Sequence, residues 1–199
     1  MIETRRLIIR PLSYNELKIY CEDSVLLAKE MNLNVSNSLV NEETQEAIKN
    51  DLLPFLVDSN KYAFFYTIWI IIEKVQNSII GGICFHGKPD KNGEVEIGYG
   101  IDEEFRNNGY MTETLNAMLN WLKENKEIMS VKAETNIENV SSIKVLEKNE
   151  FFISEKSENS VIYRFELRTH LTHSPLESNG TEIEHYLYFL YLPLFSFLG

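Results

Sequence analysis

Hydrophobic positions change period several times along the chain, and each change marks an element. Leu7, Ile8 and Ile9 stand between Arg6 and Arg10 and run into Pro11, which reads as a strand closed by a residue that cannot donate to a ladder. Ser13 stands where a helix cap belongs, ahead of Leu17, Tyr20 and Cys21 on one helical face. A second helical spacing covers 42–57, with Ala47, Ile48, Leu52 and Phe55 on one side and Pro54 placed to kink or end it.

From Tyr62 the period becomes that of a strand. Tyr62–Ile72 is aromatic and β-branched, and a turn at Gln76 and Asn77 leads to Ile79–Phe85. The polar Lys88–Gly93 cluster then separates it from Glu94–Ile101, so the three segments predict an antiparallel meander. Met111, Leu115, Met118, Leu119 and Leu122 share one face of a helix. Val131–Thr135 reads as a strand, Ser141–Lys148 as a shorter helix, and Phe151–Ser154 and Val161–Arg168 as two closing strands. About seven strands interleaved with about four helices predict an α+β (mixed α/β) fold in one domain over residues 1–168.

Residues 169–199 form an extension beyond that domain. Ser174-Pro175 and Ser178-Asn179-Gly180 read as a linker, and Tyr186–Tyr191 is too apolar to hang free in water. That run is expected to pack on its own domain or to join a second copy of the chain in a homodimer.

Composition narrows the function. A net charge of -11 leaves no basic stripe to neutralise phosphates, which excludes nucleic acid and suits an amine-bearing partner. Cys21 and Cys84 each lie in apolar segments, as buried free thiols of a reducing cytoplasm do. Neither Tyr62–Ile72 nor Tyr186–Leu198 has the ~20 apolar residues a membrane span requires, and the first residues lack the apolar core of a secretory signal. The expected setting is therefore cytoplasmic, with no membrane. His170, His173 and His185 are loosely spaced without a cysteine or carboxylate partner, so no metal is expected.

The candidate chemistry concentrates at Arg106-Asn107-Asn108-Gly109-Tyr110-Met111-Thr112, between a strand and the long helix. A helix start carries unpaired N–H groups and a positive dipole end, which suit phosphate oxygens. Gly109 lets the backbone approach such a group closely, and Arg106 adds charge.

In its surroundings this block resembles the GNAT superfamily of N-acetyltransferases. Glu96-Ile97-Gly98-Tyr99-Gly100-Ile101 followed by Arg106–Glu113 is similar to that family's fourth strand and its (Gln/Arg)-x-x-Gly-x-(Gly/Ala) loop. Asn139-Val140-Ser141-Ser142, then Val145–Lys148 and Phe151, resembles its last conserved block. Thr4–Pro11 looks like the first strand of the branch containing the RimJ/RimL-type ribosomal-protein N-terminal acetyltransferases.

The resemblance implies a mostly antiparallel sheet with a V-shaped splay between the fourth and fifth strands, where acetyl-CoA lies. The pantetheine arm would pair with backbone around Tyr99, Gly100 and Ile101, and the pyrophosphate would sit on the amides of Arg106–Thr112. Asn139 would contact the pantetheine or the acyl end, and Ser142 would lie near the sulfur. The expected reaction moves an acetyl group to a primary amine, on a protein N-terminus or a small molecule, by direct transfer. Glu96 is the candidate base, with Glu94 its competitor two residues earlier on the same face. Ser142 is the candidate proton donor to the leaving thiolate. A solvated Glu96, capping roles for Ser142 and Asn139, and catalysis by proximity alone are the competing readings. A catalytically inactive CoA-binding or regulatory module, and an interaction protein using the tail, are the alternative functions.

Three residues depart from the family pattern. Met111 stands where a small residue is usual, and Leu146 where many members carry an acidic tyrosine. Glu150 replaces a glycine before phenylalanine, at a cost of about 1 kcal/mol if the backbone there is left-handed, unless Asn149 takes that conformation.

Overall fold

The computed structural model describes residues 1–34, 40–58 and 61–168, so the extension with its apolar run and three histidines lies outside the described residues. Eight strands form one sheet: β1 (Ile2–Glu3), β2 (Leu7–Pro11), β3 (Ile68–Glu73), β4 (Ser78–Phe85), β5 (Glu94–Ile101), β6 (Ser130–Asn136), β7 (Phe152–Lys156) and β8 (Ser160–Glu166). Their spatial order is β1-β2-β3-β4-β5-β6-β8-β7. Every neighbouring pair is antiparallel except β5 and β6. That parallel pair holds register only from Glu94 opposite Ser130 to Glu96 opposite Lys132. Beyond Glu96 the two strands part, which is the V implied by the resemblance.

Helices cover the sheet unevenly. On one face α5 (Tyr110–Leu122) and α6 (Val140–Lys148) pack over Leu7, Ile9, Trp69, Ile71, Ile83, Phe85, Val95 and Ile97. The apolar face predicted for α5 is the buried one, with Leu115, Met118 and Leu122 fully enclosed. Each such side chain contributes roughly 1.5–3 kcal/mol. On the other face α1 (Tyr14–Glu22), α2 (Ser24–Glu30), α3 (Glu42–Ala47) and α4 (Leu53–Asp58) cover Ile68, Ile70, Ile72, Ile79 and Cys84. Those covered residues belong to β3 and β4. The same face of β5, β6 and β8 instead presents Glu94, Glu96, Lys132 and Arg164, joined to one another and to neighbours by ion pairs.

Two expectations are corrected. The helical pattern over 42–57 continues past Pro54 to Asp58, because Ile48–Leu52 forms a π turn in which the Leu53 N–H donates to Ile48. The wider turn accommodates a residue with no N–H of its own and relieves its ring against the preceding carbonyls. The strand expected from Tyr62 begins only at Ile68, since Ala63–Phe65 forms a 3-10 turn. The aromatic density there reflects packing: Phe65 lies edge-on to Phe85 at 4.9 Å, and Trp69 meets Trp121 at 4.8 Å. Phe64 is half exposed, with its ring against Trp69 and Trp121. Short β1 and α2 carry too few residues to show a period and were not legible.

Ser13 does cap α1, in a full capping box with Glu16. Both cysteines are buried free thiols.

Candidate active site

The open edge of β5 follows from strand alternation. The His86 N–H donates to the Glu96 carbonyl and the Asp102 N–H to Ile80, so Glu96, Gly98, Gly100 and Asp102 turn their peptide groups toward β4. The peptide groups of Tyr99 and Ile101 therefore face the V, where β6 has already parted from β5. The Ile101 carbonyl is taken by Arg106 Nε at 3.1 Å, which ties the loop after β5 back onto the strand.

That loop runs into α5 through two left-handed residues, Asn107 (φ 62) and Gly109 (φ 75). Gly109 is the N-cap and offers no side chain to the helix start. Among the described residues no acceptor meets the backbone amides of Asn107–Thr112, the first partnered amide being that of Glu113, bonded to Gly109. Six consecutive N–H groups and the positive end of a 13-residue helix converge at the mouth of the V. Asn108 folds its own amide back onto the Phe105 and Arg106 carbonyls, which holds the loop in shape. Met111 turns into the core, 7% exposed, so it does not crowd the loop as its size suggested. Tyr110 lies under the Arg6 guanidinium, 4.5 Å from the ring centre.

Arg6 is the residue that sequence reasoning missed here. Its Nε pairs with Glu113 at 2.6 Å and its Nη1 donates to the Asn108 carbonyl at 2.9 Å. Its backbone N–H and the Thr4 hydroxyl also reach Glu113, at 3.1 and 2.5 Å. The chain before β2 is thus clamped to the first turn of α5. Burial opposes charge on Glu113, but hydrogen bonds from Thr4 and Arg6 outweigh it and hold this carboxyl below the usual range. The Thr4–Pro11 block carried the signal, as resemblance rather than chemistry.

Across the V, Asn139 caps α6 by accepting from the Ser142 N–H at 3.0 Å. Ser142 Oγ lies 2.9 Å from the Tyr99 hydroxyl, so β5 and α6 are bridged at the site by two hydroxyls. Burial pushes the Tyr99 phenol up, against the pull of Ser142. Leu146 is fully buried and Lys144 and Lys148 are exposed.

Glu96 sits on the opposite face, at the last rung before the strands part. Its Oε2 meets Lys132 Nζ at 2.7 Å and its Oε1 meets His86 Nδ1 at 3.1 Å. Burial alone would raise this carboxyl, but His86 and Lys132 more than offset it and leave it lowered. Glu94, the competing base, is one alternation further back and is held by Arg164 at 2.7 Å and by Ser130 at 3.3 Å. The structure thus gathers Tyr99, Asn139 and Ser142 on one face, Glu96 on the other, and the Arg106–Thr112 amides at the open end. Among the described residues no group of three His, Cys, Asp or Glu side chains is arranged to hold a metal, and no helix is long and apolar enough to cross a membrane.

A splayed parallel rung thus stands beside a helix start with free amides, and comparison with known proteins gives the family. Residues 6–151 match the model of the acetyltransferase (GNAT) domain. The chain belongs to the GNAT family and is an acetyltransferase. It is 30% identical over 157 residues to the uncharacterized N-acetyltransferase YjdG of Bacillus subtilis, covering 79% of this chain and 92% of that one. The fold matches the ribosomal L7/L12 α-N-protein acetyltransferase RimL in complex with coenzyme A, with a TM-score of 0.59 and 19% identity over 82% of this chain and 95% of that one. It also matches a Salmonella typhimurium acetyltransferase that modifies the N-terminal serine of ribosomal protein L7/L12, with a TM-score of 0.57 and 19% identity over 82% and 96% of the two chains. These neighbours are of the RimL kind that the first-strand resemblance implied.

Proposed function

We propose that the chain transfers the acetyl group of acetyl-CoA to a primary amine, on a protein N-terminus or a small molecule, by direct attack within a ternary complex. The observation that carries this reading is the run of unpartnered amides from Asn107 to Thr112 at the mouth of the V. Those donors, Arg106 and the dipole of α5 suit a pyrophosphate, and the outward peptide groups of Tyr99 and Ile101 suit the amide-bearing pantetheine arm. Asn139 and Ser142 then line the end where the thioester belongs.

The chemistry divides between the two faces. A primary amine is protonated near neutral pH and must shed a proton before it attacks. The Glu96 cluster on the uncovered face of β5 and β6 is the acceptor of that proton, directly or through a water. The Ile101 and Tyr99 peptide edge orients the thioester, and holding both reactants in the V supplies much of the rate by proximity. The Ser142 hydroxyl donates to the departing sulfur from the α6 side, and its contact with Tyr99 replenishes it. Acceptor identity follows the relatives only as a starting point: a protein N-terminus beginning with serine is the first to try. The setting proposed is the cytoplasm, in keeping with two buried free thiols.

The experiment is a transfer assay with acetyl-CoA against a lysine-rich peptide with a free N-terminal serine, and against spermine, with release of the CoA thiol as readout. Acetylation of either supports the reading. Acetyl-CoA binding with no transfer to any amine would move the chain to a cofactor-binding module instead.

A further inference from the structure

The Glu96 carboxylate on β5, the candidate base, has both oxygens engaged. Oε2 is held by the Lys132 ammonium and Oε1 by the Nδ1 side of His86, in a pocket where its side chain is 16% exposed. A carboxylate so neutralised is a weak proton acceptor, since removing either partner is the precondition for accepting a proton from substrate. The imidazole differs. An N–H at Nδ1 pointing to a carboxylate fixes the ring tautomer and leaves the lone pair on Nε2. No described residue partners that second nitrogen, and the His86 side chain is 21% exposed on the face of β5 and β6 that carries Glu96 and Lys132.

We infer that His86 is the general base of this enzyme, acting through Nε2, and that Glu96 is a positioning residue that orients the imidazole, with Lys132 holding Glu96 in place. The inference rests on the proposed acetyl transfer to an amine. His86 Nε2 takes one proton from the acceptor ammonium, directly or across one water. The freed lone pair forms the N–C bond to the acetyl carbonyl carbon as the C–S bond breaks. The thiolate gains a proton from Ser142, the nitrogen's second proton passes to the Ser142 oxygen in its place, and His86 returns the first proton to solvent. The balance is one ammonium and one thioester giving one amide, one thiol and one proton.

The charged and titratable groups around the ring come from several elements. Glu96 lies on β5 and Lys132 on β6, and Cys84 lies two residues before His86 on β4, buried, with its thiol on the Gly98 carbonyl. Lys88 follows in the turn after Gly87, and Tyr66, from the segment before β3, lies 3.9 Å from the position of a Gly87 Cβ. Glu94 shares the face but is committed to Arg164. Glu96 is the anion in direct contact with the ring.

Three proteins test the assignment: wild type, His86→Asn and Glu96→Gln. Asparagine at 86 keeps a donor for Glu96 but has no second ring nitrogen. Each is titrated with acetyl-CoA by calorimetry, and kcat and KM are measured from pH 5.5 to 9.5 with the serine peptide and with spermine. Expected for His86→Asn are unchanged acetyl-CoA affinity, kcat lower by about 10²–10⁴-fold, and a pH profile that lacks the basic limb of the wild-type enzyme. Expected for Glu96→Gln is a smaller loss of kcat, with the basic limb of the pH profile retained. A His86→Asn profile matching wild type, with Glu96→Gln abolishing turnover, would overturn the assignment and return the base role to the carboxylate. So would a His86→Asn protein that no longer binds acetyl-CoA, since the residue would then be structural. A wild-type protein that acetylates neither probe overturns the transfer reading itself.

Discussion

Glu150 is the residue whose backbone conflicts with its identity. It has φ 65, and it closes α6 in a Schellman arrangement: its N–H donates to Glu147 and the Phe151 N–H to Leu146. Asn149, the other candidate for the left-handed position, keeps a negative φ of -99 and is buried. Its amide donates to Val145 at 2.9 Å and to the Thr112 carbonyl at 3.4 Å, linking the end of α6 to the start of α5. A non-glycine residue in the left-handed region costs about 1–2 kcal/mol. Glycine at 150 recovers that but raises unfolded-chain entropy by about 0.4–1 kcal/mol, so Glu150→Gly is expected to stabilise by roughly 0.5–1 kcal/mol. For a chain of this size that is about 2–3 °C in Tm. Urea unfolding gives the midpoint shift and a scan gives Tm, with Asn149→Gly as the contrast that must lower both. A Glu150→Gly protein no more stable than wild type, or an Asn149→Gly protein that gains, would refute the backbone assignment.

Other outcomes follow from the same geometry. A Cβ on Gly81, where φ is 155, would stand 2.2 Å from the Gly100 carbonyl oxygen, so Gly81→Ala should cost on the order of 3 kcal/mol by urea unfolding and weaken acetyl-CoA binding at the neighbouring Ile101 edge. Thr114 is fully buried with an unpartnered hydroxyl, so Thr114→Val should be neutral or stabilise by up to about 1 kcal/mol; a clear loss would mean the hydroxyl has a partner in solution. Glu16, Glu96 and Glu113 are all held below the ordinary carboxyl range. A depressed folded value contributes stability above the ordinary range, and that contribution is lost as pH falls through the folded value. Stability should therefore drop as pH falls through and below the ordinary carboxyl range, and drop less in Glu113→Gln; parallel curves for the two proteins would show that the clamp carries no charge-linked stability.

Much of the fold was legible because long amphipathic or alternating segments declare themselves. The α5 stripe from Met111 to Leu122 is the buried stripe, and the first half of β5, from Glu94 to Gly98, alternates as its burial does. The failures came where composition stands for packing. Tyr62–Phe65 looks extended because it is aromatic, but those rings serve a cluster around Trp69 and Trp121 reached by a tight turn. Pro54 reads as a kink or a stop, and a π turn upstream lets the helix pass it.

The site was legible in its backbone and less so in its side chains. Gly109 and the helix start could be read directly, because left-handed glycine and free amides are local properties. The partners of Glu96 could not: His86 directly follows β4 and Lys132 lies on β6, 10 and 36 positions away on either side of β5, and only sheet order brings them together. The Arg6–Glu113 clamp spans 107 positions and has no local pattern at all.

The central claim is that the amides of Asn107–Thr112 and the open edge of β5 cradle acetyl-CoA. Calorimetric titration of acetyl-CoA into wild type and Gly109→Glu tests it most directly. A carboxylate at 109 would sit within reach of Arg6, whose Nη2 lies 3.7 Å from the Cβ position, and would set a negative charge beside the pyrophosphate. The account expects one-to-one binding by wild type and at least tenfold weaker binding by a folded Gly109→Glu. No binding by wild type, or equal binding by the two proteins, would contradict it.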